Sequence, residues 1–185
     1  DHTERMFMEF GLPVEINSSG QSRTVCINKV SRIDPQDIKV PGDFSSASFF
    51  ILAALICPDS SIKIKNVGIN ETRIGFLHAL RHMGANIELI NVKNTSEATA
   101  DILVKTSSLK GISLNTALVA NMIDEMPAFF VAAALAEGIT IVKDAKELRT
   151  KESDRLQAMA DSLNAFGIKN ELSKDGIVIH GIGSE

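Results

Sequence analysis

Hydrophobic positions along the chain form two kinds of segment. FFILAALIC (49–57) and AFFVAAALA (128–136) are apolar at every position, and each predicts a helix buried on all sides. Both are far shorter than the roughly 20 residues needed to cross a bilayer. Three other segments, HTERMFMEFGLPVEIN, TRIGFLHALRHMGANIELI and ESDRLQAMADSLNAFGIKNEL, begin with charges, continue with helical apolar spacing, stop at a glycine and pass into a strand. A second strand follows each of them: RTVCIN, ADILVKT and GIVIHGI. In the last segment Leu156, Met159, Ala160, Leu163 and Phe166 fall on one helical face. Gly11, Gly84 and Gly167 occupy the same slot, where the chain needs positive φ to leave a helix.

Each fully apolar helix also runs into a strand, in SSIKIKNV and GITIVKDA. Joining the two patterns gives a repeating β-α-β-α-β-β unit of about 80 residues, longer than the common solenoid repeats. The expected class is therefore α/β (α+β), with two whole units and the tail of another. Residues 1–40 read as the end of one lobe and 41–185 as most of a second. Pro41-Gly42 is read as a turn between them, with Asp43 and Ser45 able to cap the next helix. Residues 92–100, VKNTSEATA, read as a polar loop without chemistry.

Composition narrows the function classes. The 185 residues are 44% hydrophobic and 23% charged, as in ordinary globular proteins. A net charge of -4 leaves no global basic field, so neither nucleic acid nor a membrane surface is an expected partner, and any anion site must be local. Cys26 and Cys57 lack CxxC spacing and read as reduced, packed thiols in a cytoplasmic protein. The chain opens at Asp1 without a signal peptide and reads as a piece of something longer.

RTKESDRL (149–156) carries the densest candidate chemistry. Taken as a helix capped by Thr150, it places Lys151 and Arg155 four apart on one face, near the positive end of the macrodipole. Two cations there make sense if free backbone N–H groups and both side chains hold an anion. The alternative is a solvated surface, with Glu152 and Asp154 as favourable first-turn acids. Asp124, ahead of the second apolar helix, reads as a helix N-cap, as a carboxylate able to take a proton from a substrate hydroxyl, or as both together. Glu152 sits among cations that keep it ionised until an anionic substrate arrives. His78 and His82 have the spacing of a metal pair but no carboxylate ligand nearby in sequence, so no metal is expected. Gly181-Ile182-Gly183 has no helix after it and does not make a dinucleotide fingerprint.

Taken together, VPGDFSSASFFILAAL, NVGINETRIGFLHALRHMGANIEL, MIDEMPAFFVAAALAEG and KELRTKESDRL resemble the 5-enolpyruvylshikimate-3-phosphate synthases, in order and over the whole chain. DHTERM and IDEMP most resemble the class II, glyphosate-tolerant branch. The resemblance implies the enolpyruvyl transferase fold, an inside-out α/β barrel of such repeats in two lobes. It also implies metal-free, cofactor-free transfer of a carboxyvinyl group from phosphoenolpyruvate to the 5-hydroxyl of shikimate-3-phosphate, by a monomeric enzyme. Asp124 then matches the proton acceptor that also holds the shikimate ring, Lys151 a shikimate-3-phosphate contact, Arg155 a phosphoenolpyruvate ligand and Glu152 a second proton-transfer group. The family's N-terminal Lys-Ser-Arg, Gly-bearing loop, Ser-x-Gln segment and C-terminal Arg and Lys find no counterpart here, so these 185 residues alone are expected to be inactive. Two other readings stand beside this one: a related carboxyvinyl transferase acting on UDP-N-acetylglucosamine, against which KESDRL argues, and a non-catalytic module binding an acidic molecule or partner.

Overall fold

A computed structural model of the chain describes residues 1–20 and 22–183. Helix α1 (His2–Glu9) leads into an antiparallel ribbon of β1 (Val14–Ser19) and β2 (Ser22–Ile27). Two copies of one topology follow. The first runs α2 (Phe44–Ile56), β3 (Ser61–Gly68), α3 (Gly75–His82), β4 (Asn86–Lys93), β5 (Thr99–Lys105). The second runs α4 (Met126–Leu135), β6 (Glu137–Val142), α5 (Arg155–Ala165), β7 (Asn170–Leu172), β8 (Ile177–Ile182). In both sheets the last strand is central, with orders β3-β5-β4 and β6-β8-β7, and these strands pair antiparallel.

The unit's opening strand survives only as short parallel pairings along the outer edge: Gly42 beside Val67, and Lys110 and Ser113 beside Glu137 and Ile141. Pro41-Gly42 is accordingly not the predicted turn. Gly42 donates to the Asn66 carbonyl at 2.7 Å and accepts from the Gly68 N–H at 2.9 Å, so the segment is a sheet edge. Proline suits such an edge because it has no N–H to pair.

Gly11, Gly84 and Gly167 all have positive φ just past their helices, as the shared stop requires. The core is one cluster in which α4 is central, touching α2, α3, α5 and β8. Phe129 and Phe130 are fully buried there, each stabilising the fold by about 1.5–3 kcal/mol relative to exposure. Side chains on β3 and β5 alternate between this core and solvent, so the sheets sit outside the helices.

Several expectations fail for local reasons. In α2 the buried stripe is Phe44, Ala47, Ser48, Ile51, Leu52, Ala54 and Leu55, whereas Phe49 and Phe50 are 62% and 64% exposed on the opposite side. A run without polar residues cannot indicate which side a neighbour covers. Phe166 ends α5 at 86% exposure and does not continue the buried face of Leu156, Ala160 and Leu163. Cys26 and Cys57 are exposed, the first on the open ribbon and the second just past α2. The 92–100 segment is shorter as a loop than expected, and it latches onto α1. Ser96 Oγ donates to Glu9 at 2.6 Å, Arg5 donates to the Ser96 carbonyl at 3.1 Å, and His2 meets Glu97 at 2.7 Å.

Candidate functional site

The helix expected to open at Thr150 begins instead at Arg155, with Asp154 as its N-cap. Residues Lys146–Thr150 form a 3-10 helix, and Lys151 turns out of it with extended backbone. Lys151 and Arg155 therefore do not share a helical face. The free N–H groups expected to hold an anion are also partly taken, since Asp154 accepts from the Gln157 N–H at 2.9 Å. Arg149 anchors this bend by bonding Asp154 at 2.6 Å and the carbonyls of Ser173 and Lys174. Side chains are left as the main means of holding an anion here.

Those side chains converge on Asp124. Arg155 Nη1 lies 3.5 Å and Lys151 Nζ 3.9 Å from Asp124 Oδ1. Arg73, from the turn before α3, brings Nη1 to 3.6 Å from Oδ2. All three cations are partly buried around one half-exposed carboxylate. Asp124 itself caps nothing, because the residue at the α4 N-cap is Glu125 and Pro127 removes one donor from the first turn. The capping alternative for Asp124 is thereby set aside.

Lys151 and Arg155 have tighter partners elsewhere, and these partners are exposed. Glu152 accepts from Arg155 at 2.6 Å, and Glu147 pairs with Lys151 at 3.0 Å. Exposed ion pairs contribute little because water screens them, so an incoming anion can displace Glu147 and Glu152 at little cost. Glu152 has its proton affinity lowered, first by its own backbone N–H and then by Arg155, which keeps it ionised as the sequence suggested.

Behind Asp124 lies a polar knot that the sequence did not reveal. Glu125 is only 2% exposed, and its Oε1 accepts from the Ser45 hydroxyl. Arg73 Nη2 lies 3.6 Å from that same oxygen and donates to Ser45 Oγ at 3.0 Å. Burial raises the Glu125 proton affinity, against the lowering effects of Ser45 and Arg73. The only available signal was an acid set between Asp124 and the apolar helix, which reads equally well as a solvated helix start. His78 contacts Glu71 at 3.1 Å, and among the described residues no group of three or more His, Cys, Asp or Glu could hold a metal ion. A separate cavity of about 520 Å³ lies between α1, residues 37–44 and the 93–99 segment, and it meets the Asp124 cluster only through Arg73.

The profile of the EPSP synthase (3-phosphoshikimate 1-carboxyvinyltransferase) family matches residues 1–184. The 3-phosphoshikimate 1-carboxyvinyltransferase of Geobacter sulfurreducens is 47% identical over 184 residues, which are 99% of this chain and 42% of that protein. The enzyme of the same name from Sphingopyxis alaskensis is 49% identical over 188 residues, covering 100% of this chain and 42% of its own length. Among solved structures, EPSP synthase from Acinetobacter baumannii superposes with a TM-score of 0.92 at 42% identity, over 100% of this chain and 41% of that one. The enolpyruvyl transferase NikO from Streptomyces tendae gives 0.67 at 17% identity over 92% of this chain and 37% of its own, a likeness of fold alone. The chain thus spans about 42% of the length of the curated relatives it matches.

Proposed function

This chain belongs to the EPSP synthase family, and from that premise we propose that it supplies one face of a site that moves the carboxyvinyl group of phosphoenolpyruvate onto the 5-hydroxyl of shikimate-3-phosphate. The oxygen of that hydroxyl attacks the enol carbon, a proton is added to the methylene carbon, and loss of phosphate with a proton from the same carbon restores the vinyl group. Asp124 accepts the hydroxyl proton and holds the shikimate ring. Lys151 contacts shikimate-3-phosphate. Arg155 binds phosphoenolpyruvate, whose carboxylate and phosphate suit a planar bidentate donor. Glu152 exchanges the second proton. The observation that carries the reading is the convergence of Lys151 and Arg155 on Asp124, with exposed acids occupying the cations where substrate anions would displace them. Cations beside an acid are what a substrate with a carboxylate, a phosphate and a reacting hydroxyl requires.

On this reading residues 1–40 close one lobe, 41–185 make up most of the other, and the full-length protein works as a cytoplasmic monomer. Shikimate-3-phosphate titrated into the full-length protein should bind saturably, and Lys151→Ala should abolish that binding. Absence of binding by the wild type would sink the assignment. Phosphate release by the isolated 185 residues would sink the idea that both lobes are needed.

A further inference from the structure

Arg73 and Glu125 lie beside Asp124 and have no part in that chemistry, yet Arg73 ties the two acids together. Arg73 reaches Asp124 Oδ2 through one terminal nitrogen, and Glu125 Oε1 and Ser45 Oγ through the other. Glu125 Oε2 is buried and has no hydrogen-bond partner among the described residues. A carboxylate in that setting is an expensive way to start a helix, since a half-satisfied buried acid stabilises less than an apolar side chain of similar size. Its presence calls for a role other than packing.

We propose that Arg73, locked in place by Glu125 and Ser45, is a positioning residue that fixes the Asp124 carboxylate with Oδ1 facing Lys151 and Arg155. A guanidinium is flat and rigid, so seating one nitrogen on Glu125 and Ser45 determines where the other points, and hence where Oδ2 rests. Asp124 needs such a hold because it follows two short 3-10 turns, Thr116–Leu118 and Ala120–Met122, and makes no capping bond. The base of the arginine is held as well. A Cβ on Gly75 would come 2.9 Å from the Leu118 carbonyl oxygen and 3.0 Å from that of Asn121, so the start of α3 is pressed against the turns that deliver Asp124. Four helix starts thus meet around the adjacent carboxylates of Asp124 and Glu125: α2 through Ser45 on Glu125, α3 through Arg73 on both, α4 through Glu125 itself, and α5 through Arg155 on Asp124.

This inference rests on Asp124 being the proton acceptor, and its test separates the two claims. In the full-length protein, kcat and KM for both substrates are measured for wild type, Arg73→Ala, Arg73→Lys and Glu125→Gln, together with melting temperatures and crystal structures. A displacement of about 1 Å in a reacting group lowers rates by up to about a hundredfold, so Arg73→Ala should lose about tenfold or more in kcat with KM little changed. Glu125→Gln keeps an oxygen for Ser45 but removes the charge that seats Arg73. It should therefore lower kcat while leaving the melting temperature the same or higher, whereas a purely structural acid would lower the melting temperature and spare kcat. If Arg73→Ala does not fold, Arg73→Lys keeps the charge and loses the fork, and should show the same loss in kcat. Asp124 should be turned away from Lys151 and Arg155 in the variant crystal structures. Unchanged kcat in folded variants, or an Asp124 carboxylate that stays where it is in wild type, overturns the proposal. If the wild type turns over neither substrate the functional reading falls, and the Asp124 position in the variants still decides whether Arg73 places it.

Discussion

The two repeat units place an aspartate ahead of their buried helices, and they use it in opposite ways. Asp43 accepts from the Ser46 N–H at 2.7 Å and from its hydroxyl at 2.6 Å, so it caps α2 and is held there. Asp124 precedes α4 and caps nothing, because Glu125 occupies the cap position and Pro127 follows it in the first turn. The second unit gives up a cap, worth about 1 kcal/mol, and gains a carboxylate free to face three cations. The sheets diverge too. Matched bulges break the register of β3 and β4 against β5, and Asp101 ties them together by accepting from the Asn66 N–H and the Asn91 side chain, both at 2.9 Å. No such shift interrupts β6 against β8, whose pairing is continuous from Glu137 to Val142. One topology thus carries a unit whose leading aspartate caps its helix and a unit whose leading aspartate faces cations.

The sharpest way to break this contrast is to truncate both aspartates. Asp124→Ala in the full-length protein should lower kcat about a hundredfold or more with the fold intact, whereas Asp43→Ala should leave kcat near wild type. Equal effects on kcat, read by phosphate release, would erase the distinction. Next in size is Gly75→Ala, which forces a methyl group against backbone oxygens and should destabilise the chain by about 1–3 kcal/mol. An unchanged urea midpoint would show that the contact between α3 and the Asp124 turns is loose.

Asp43→Ala should itself lower stability by about 1 kcal/mol in the same denaturation, and no loss would mean the cap is idle. Smallest is the response to acid. Asp43 has its proton affinity lowered, first by the Ser46 hydroxyl, and a carboxylate depressed by folding contributes stability above its unfolded value that is lost as pH falls through the folded one. Glu125 runs the other way: its raised affinity means that its contribution is present at low pH and fades as pH rises through the shifted value. Asp43→Asn should therefore lessen the fall in melting temperature below about pH 4. An identical acid slope in wild type and variant would refute the linkage.

How legible the molecule was depends on the range of each signal. The glycine stops at Gly11, Gly84 and Gly167 were readable because positive φ is a property of one residue and its neighbours. The repeat was readable for the same reason, as its helices and strands carry their own periodicities. Local reasoning misjudged residues 149–156, where a bend held by Arg149 replaces the first turn of helix. That bend depends on carbonyls at Ser173 and Lys174, which are distant in sequence.

From sequence alone came the elements, their order, and Asp124, Lys151, Glu152 and Arg155 as the residues worth watching, because propensity, glycine placement and motif spacing act over a few residues. Only the tertiary structure decided that Lys151 and Arg155 reach one carboxylate without sharing a helix, and that Arg73, Glu125 and Ser45 stand behind it. The reason is geometric: these side chains meet because α2, α3, α4 and α5 pack around one core, and no spacing along the chain encodes a distance across it.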